Sequence, residues 1–416
     1  MTIVVVVVLL VGVSTLLWAS VGLGRVVSGA LRAPIASSLL TTSDVAVIIA
    51  AHNEQLVIAH TIRSAASLVP VSNIFVVSDG STDLTTQIAT EEGATVLDLN
   101  PNRGKAGAIA AIIDEFELAK RFQVVMLLDA DTQLAPDYFE TGLPLFNEQD
   151  VVAVAGRVIS LPEQPGTTLL GRVIVAHRER VYIVVQYLHK FGQAARWANA
   201  VSIVPGFASM YRSRVLADID IEAQGLAIED YNMTFEVHAK KLGRIAFHPR
   251  AAIALTQDPN TLHDYVSQVS RWNLGFWQTV RRHGMHAGTF WAALGLFITE
   301  LVTSSLLMLL FLPAVATLLV FALIDAVDGS APTTASMVVL AIPPAVVVIG
   351  VLVPDYVMTV FAALVARAPV MLVLGLAFPL LRIVDSYLCL RSLSRAYRAS
   401  TSGVWKSPER RSVVQL

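Results

Sequence analysis

Two carboxylates, Asp129 and Asp131, stand two residues apart directly after the apolar run Val124-Val125-Met126-Leu127-Leu128. Oxygen ligands at that spacing can share one hard divalent cation, Mg2+ or Mn2+, which can in turn neutralise a diphosphate. Taken alone, the same spacing also fits a solvated turn that caps a helix. Asn53-Glu54 ends an earlier apolar run and Ser78-Asp79-Gly80-Ser81-Thr82-Asp83 ends the next. An aspartate followed by glycine and hydroxyl residues can accept hydrogen bonds from a base or ribose, and the glycine lets a ligand reach the backbone. The run Asn102 to Ala108 opens a helix whose N–H groups, with Lys105, suit an anion, although its glycine and lysine spacing is not that of a P-loop. Farther along, Asp230 follows Glu229 in an apolar setting, where a like charge and partial burial raise a carboxyl pKa toward that of a general base. A helix cap is the structural alternative there. Gln268, Arg271 and Trp272 fall at i, i+3 and i+4, so one helix face presents an amide, a permanent cation and an aromatic plane.

These groups need a scaffold. Val45 to Ala50, Ile74 to Val77 and Val124 to Leu128 are short apolar runs ending in polar residues, the pattern of strands buried on both faces of a parallel sheet. Gln55 to Leu68 and Leu84 to Glu92 are spaced as crossover helices, so the first half reads as βαβαβ with its polar residues at the carboxyl ends of the strands, where such sheets bind ligands. Around this unit the chain of 416 residues is 55% hydrophobic and only 15% charged, which excludes intrinsic disorder and an all-soluble enzyme. The net charge of −2 gives no case for nucleic-acid binding, and the lone Cys389 excludes an intramolecular disulfide. His248 and His263 lack partners at metal-ligand spacing and are assigned to structure.

Apolar residues concentrate at both ends. Residues 1–24 carry no charge, and Ile3 to Leu23 has the length of a membrane anchor, with Arg25 and Arg32 placing the segment after it in the cytoplasm. The spacing predicts spans over Leu301 to Ile324 and Gly329 to Pro354, and a shorter run from Ala368 to Leu381 that lies at the interface or re-enters. Asp325 and Asp328 then face outside and the basic tail from Arg391 to Arg411 faces inside. The expected divisions are an anchor over 1–24, a catalytic domain over 44–262, an interfacial helix over 263–288, membrane helices over 289–390 and a tail over 391–416. Glu300, within an apolar stretch, either lines a channel or marks the cytoplasmic end of its helix. Trp272 and Trp277 suit headgroup anchoring.

The order of the motifs resembles family-2 glycosyltransferases with a GT-A fold. Ala50-Ala51-His52-Asn53-Glu54, the Ser78 to Asp83 segment, Asn102-x-Gly104-Lys105 and Asp129-x-Asp131 resemble the nucleotide-binding half, Ile228-Glu229-Asp230 resembles the Thr-Glu-Asp motif, and Gln268-Val269-Ser270-Arg271-Trp272 matches the Gln-x-x-Arg-Trp signature of membrane-embedded members. Those members are the cellulose, chitin, hyaluronan and poly-N-acetylglucosamine synthases. The resemblance implies an α/β GT-A domain flanked by membrane helices, with nucleotide contacts from Ala50, His52, Glu54, Asp79, Lys105 and Asp129, a metal on Asp129 and Asp131, and Asp230 as base. It places Gln268, Arg271 and Trp272 on the diphosphate and sugar, and Gly206, in Val204-Pro205-Gly206-Phe207, against the acceptor. Ser78 departs from the family's usual Asp-Asp-Gly, which puts part of the base or ribose contact in doubt. Ile228-Glu229-Asp230-Tyr231 differs from the Gly-Asp-Asp-Arg type of hyaluronan and chitin synthases, and with Trp405-Lys406 looks closer to poly-N-acetylglucosamine synthases. The implied reaction is inverting transfer of N-acetylglucosamine or glucose from a UDP-sugar to a β-linked polysaccharide, at the cell membrane, with membrane lipids and an accessory subunit as further partners. Ceramide glucosyltransferases resemble the same motifs, so a lipid acceptor is the alternative; a silent membrane scaffold or transport subunit is the alternative of another class.

Overall fold

The computed structural model describes residues 12–29, 37–161, 167–328, 334–341 and 343–398. Helix α1 (Val13–Val27) precedes a unit in which β1 (Val45–Ala51), α2 (Ile58–Ala66), β2 (Ile74–Asp79), α3 (Thr85–Glu91), β3 (Thr95–Leu99), α4 (Gly104–Glu115) and β4 (Val124–Asp129) alternate. Then come β5 (Thr132–Leu134), β6 (Val151–Ala155), β7 (Arg157–Ser160), α5 (Leu169–Ile183), β8 (Ala208–Arg212), α6 (Asp230–Ala239), β9 (Arg244–Ala246) and β10 (Ile253–Thr256). The chain continues through α7 (Leu262–His283), α8 (Thr289–Asp328), α9 (Pro344–Ala366) and α10 (Phe378–Arg398).

Every residue of β1 is buried because helices cover both faces of the sheet. Val45, Val47 and Ile49 pack with Ile58, Ile62 and Ala65 of α2, whereas Ala46, Ile48 and Ala50 pack with Ile109 and Ile112 of α4. The main sheet has seven strands in the order β3-β2-β1-β4-β8-β6-β9, parallel from β3 to β4 and antiparallel where β8 meets β4 and β6. A smaller, three-stranded sheet has the order β5-β10-β7. The strands expected at β1, β2 and β4 are present. An edge strand, β3, lies between β2 and α4 in the chain and was not expected, because its half-exposed Thr-Val-Leu-Asp-Leu lacks a continuous apolar run. Helix α2 begins at Ile58, three residues later than its apolar pattern predicts, since Glu54 and Gln55 hydrogen-bond into the turn before α3.

Three helical stretches among the described residues are long and apolar enough to cross a membrane: Thr289–Val327, Met337–Ala366 and Val370–Arg398. The second and third extend well beyond the expected spans, because the helices continue through charged residues that find partners. Asp355 accepts from Arg180 of α5 and Arg382 of α10, each at 2.9 Å, and Asp385 accepts from the Tyr265 hydroxyl at 2.5 Å and meets the His177 ring at 3.0 Å. Pairing of this kind is what lets ionisable groups sit among apolar helices. Of the N-terminal anchor, residues 1–11 lie outside the described residues, as does the tail from residue 399 with Trp405 and Lys406. The described part, α1, runs on through Arg25 and packs Trp18 and Gly22 on the turn at Phe191 and Gly192. Glu300 is neither free nor at a helix end: its carboxylate accepts from the Ser14 N–H at 2.9 and 3.1 Å and so caps α1. Trp277 is not a headgroup anchor. It is 2% exposed, packed in a cluster with Phe235 and Phe276, and its indole donates to the Cys389 carbonyl of α10.

Candidate active site

The carboxyl ends of β1, β2 and β4 lie side by side, with Ala50 registered against Asp129 and Ala51 against Ser78. Each strand then turns sharply, and the turns are tied to one another. His52 meets the Asp79 carbonyl at 2.7 Å, Asn102 donates to the same carbonyl at 3.0 Å, and the Arg103 N–H donates to Asp79 Oδ1 at 2.7 Å. Gly80, with φ of +66°, and Asn102 pass so closely that a Cβ on the glycine would sit 3.1 Å from Asn102. Asp79 is fully buried, and its second oxygen, Oδ2, has no hydrogen-bond partner among the described residues. A buried carboxylate oxygen left without a donor is costly unless a ligand supplies one. Glu54 is likewise fully buried, its backbone N–H donating to Thr85. Ser78 faces away from this edge: its hydroxyl accepts from Thr86 at 2.8 Å and is wholly buried, so the departure from Asp-Asp-Gly changes the packing under α3 rather than the rim.

Lys105, in the first turn of α4, reaches two carboxylates at once, Asp129 at 2.7 Å and Glu229 at 2.8 Å. Burial alone lowers an ammonium pKa, but these two partners raise it overall, so Lys105 stays charged. Gly206 lies against this pair, where a Cβ would stand 3.0 Å from Glu229 Oε1 and 3.1 Å from Lys105 Nζ. The missing side chain therefore makes room for an ion pair, a use the motif alone does not reveal. Asp230 opens α6, with Gly206 N–H donating at 3.4 Å and Tyr231 N–H at 2.7 Å. Burial raises its pKa to about 6, helped by Glu229 and opposed by Lys105 and the two backbone donors. Asp131 is 8% exposed at the entry to β5, and Thr61 of α2 holds the intervening Ala130 carbonyl at 2.7 Å. Oxygen donors without nitrogen or sulfur suit Mg2+ or Mn2+, and among the described residues no third metal-ligating side chain joins Asp129 and Asp131.

The structure thus brings together Ala50, His52, Asp79, Lys105, Asp129, Gly206 and Asp230 around one sheet edge, with Glu229 as the shared partner that the sequence pattern marks only as a neighbour of Asp230. Gln268, Arg271 and Trp272 sit on α7, which packs on the segment leading into Asp230: Gly275 abuts Ile228, and Gln278 accepts from the Ala227 N–H at 2.8 Å. Among the described residues no hydrogen bond or ion pair links Gln268 or Arg271 to the Lys105 cluster; Gln268 Oε1 and Arg271 Nε are buried without partners. One face of the Trp272 ring is covered by the Arg178 guanidinium at 4.1 Å. Arg178, on α5, has no local sequence signal. His248 is buried and accepts from the Arg250 N–H at 3.1 Å, in keeping with a structural role.

A mostly parallel sheet carrying an acidic pair after β4, with antiparallel β8 beside it, is the GT-A fold of nucleotide-sugar transferases. The fold is similar to that of a mannosyltransferase from Pyrobaculum calidifontis solved with GDP-mannose and Mn2+, with a TM-score of 0.50 at 14% identity over 92% of this chain and 99% of that one. The family model described as glycosyltransferase like family 2 matches residues 43–275, and the chain belongs to that family. A probable glycosyltransferase of Bacillus subtilis, YdaM, is 30% identical over 247 residues, covering 56% of this chain and 54% of the relative. A poly-beta-1,6-N-acetyl-D-glucosamine synthase of Staphylococcus aureus is 25% identical over 240 residues, 55% of this chain and 53% of the relative. The chain spans about half the length of these curated relatives.

Proposed function

We propose that the protein is a membrane-bound, inverting glycosyltransferase that transfers N-acetylglucosamine or glucose from a UDP-sugar to a growing β-linked polysaccharide at the cytoplasmic face. The observation that carries the reading is the convergence of Lys105, Asp129 and Glu229 beside Asp230, whose carboxyl pKa is raised by burial to about 6. Asp79 Oδ2, buried and without a donor, accepts from the base or ribose, and His52, Glu54 and Ala50 shape the rest of that edge. Asp129 and Asp131 would hold Mg2+ or Mn2+, which would supply charge neutralisation to the diphosphate.

In the transfer the Asp230 carboxylate takes the proton of the acceptor hydroxyl, and that oxygen forms a bond to the anomeric carbon as the bond to the diphosphate breaks. Attack from the face opposite the departing UDP turns an α-linked donor into a β-glycoside. Gln268 and Arg271 meet the charge that builds on the leaving diphosphate, and their unpartnered buried atoms support that assignment. Trp272, backed by Arg178, offers its other face to a sugar. The polymer is favoured over a lipid acceptor by the likeness to the staphylococcal synthase over the catalytic half.

Product size tests this reading. Purified full-length protein in nanodiscs, supplied with Mn2+ and in turn with UDP-N-acetylglucosamine, UDP-glucose and UDP-galactose, is expected to give high-molecular-weight labelled product from one donor and none after Asp131→Ala. A single sugar added to lipid would replace the polymer with the lipid acceptor.

A further inference from the structure

The Trp272 ring rests on a buried charge cluster that no motif marks. Arg178 of α5 is 4% exposed, and its guanidinium lies over the indole at 4.1 Å. The same guanidinium donates to the Tyr182 hydroxyl at 2.6 Å and stands 3.5 Å from Asp258 Oδ1, to which Tyr182 donates at 2.8 Å. The second Asp258 oxygen accepts from the Ser160 hydroxyl at 2.5 Å. Taking a guanidinium and a carboxylate out of water is costly, and an apolar pair of similar volume commonly serves stability as well or better. A buried ion pair set against an exposed motif residue therefore calls for a reason beyond stability.

Its placement is built in by three elements far apart in the chain. Strand β7 is an edge of the small sheet, and α5 with the turn that extends it takes up the free side of that edge. Gln186 accepts from the Val158 N–H at 2.8 Å and donates to the Val158 carbonyl at 3.1 Å, and Glu179 accepts from the Ser160 N–H at 2.9 Å. These bonds stand where a further strand would pair, so α5 is locked in place along β7. Thr256 of β10 is registered against Ser160, which brings Asp258, two residues on, to the Ser160 hydroxyl. On the next residue of α5, the His177 ring meets Asp385 of α10 at 3.0 Å. Arg178 is thus held between the ends of the small sheet and α7.

Trp272 itself is only partly buried, and among the described residues no second cation or ring stacks on it. A planar guanidinium laid on an indole sets the plane of the ring as well as attracting it, which a flexible ammonium does not. A ring held in one plane before its ligand arrives binds that ligand without a further ordering cost. We propose that Arg178, held by Asp258 and Tyr182, is a positioning residue for acceptor binding: it fixes the plane of the Trp272 indole so that the uncovered face receives the acceptor sugar. The inference rests on the reading of Trp272 as a contact of that sugar.

The test is a double-mutant cycle on full-length protein in nanodiscs: wild type, Arg178→Met, Trp272→Ala and the two combined. Calorimetry reads the affinity of each for a β-linked N-acetylglucosamine tetrasaccharide in the presence of Mn2+ and UDP, and for Mn2+-UDP alone, so no turnover is needed. Arg178→Met is expected to weaken tetrasaccharide binding about tenfold, to leave Mn2+-UDP binding unchanged, and to add little once Trp272 is Ala. Tetrasaccharide binding unchanged in Arg178→Met overturns the proposal. So does a loss that persists in full in the Trp272→Ala background or that extends to Mn2+-UDP, since a residue acting only on the fold would give that pattern. If Arg178→Met fails to fold, as judged by Mn2+-UDP binding, the paired variant Arg178→Met/Asp258→Asn, which leaves no lone buried charge, carries the same cycle. Failure of the underlying reading shows separately: Trp272→Ala would bind the tetrasaccharide as wild type does, or wild type would not bind it, and the inference would fall with it.

Discussion

At the scale of single residues, the proposed function turns on Asp230. Its carboxyl pKa is raised from the ordinary 3.8 to about 6, so the base form is present above that value and lost as pH falls through it. The kcat/KM profile should therefore fall below about pH 6, while Asp131→Ala should weaken Mn2+-dependent UDP binding without moving that limb, as read by calorimetry. Gly206→Ala should cost about tenfold or more in kcat, because its methyl meets both Glu229 and Lys105, and thermal unfolding should show the fold intact. The acids and Lys105 were legible in the sequence because each closes an apolar run or opens a helix. What Gly206, Glu229 and Trp272 touch was not legible, since their partners lie far away in the chain: Lys105 is 124 positions from Glu229, and Arg178 lies on a helix with no motif.

At the scale of elements, α6 carries the proposed base and α7 the Gln268, Arg271 and Trp272 face, and the contact between α7 and the segment leading into α6 is tight. A Cβ at Gly275 would stand 2.2 Å from Ile228, so Gly275→Ala must push the segment ending in Glu229 and Asp230. Overpacking of this kind costs about 1–3 kcal/mol, and the expected result is a lower Tm together with a lower kcat. Helix α7 is also fixed by α10 along its length, from Tyr265 with Asp385 to Trp277 with Cys389. The βαβ core was readable because strands buried on both faces are apolar throughout. Edge strand β3 was not, because it is only partly buried and lacks a continuous apolar run.

At the scale of the whole molecule, composition sets the apolar ends apart from the glycosyltransferase domain, but it does not fix the number of candidate spans. The pairs that carry the helices past their charges, Arg180 with Asp355 and His177 with Asp385, join α5 to α9 and α10 and leave no local trace. Because α10 runs beside α7 from Asp385 to Ala396, its carboxyl end should lie on the same side as the catalytic domain. Tyr397, 61% exposed, replaced by Cys in a Cys389→Ser background, should react with an impermeant maleimide only when the cytoplasmic face is open. Labelling from the outside of intact cells would instead make Val370–Arg398 a full crossing.

The most direct measurement is UDP release by purified wild-type protein and Asp230→Asn, with Mn2+ and each UDP-sugar in turn, alongside Mn2+-UDP binding to both. Turnover of one donor by wild type, with its loss in Asp230→Asn while binding is unchanged, is the result predicted. Equal turnover in the two proteins would contradict Asp230 as the base and the assignment of the chemistry to this sheet edge.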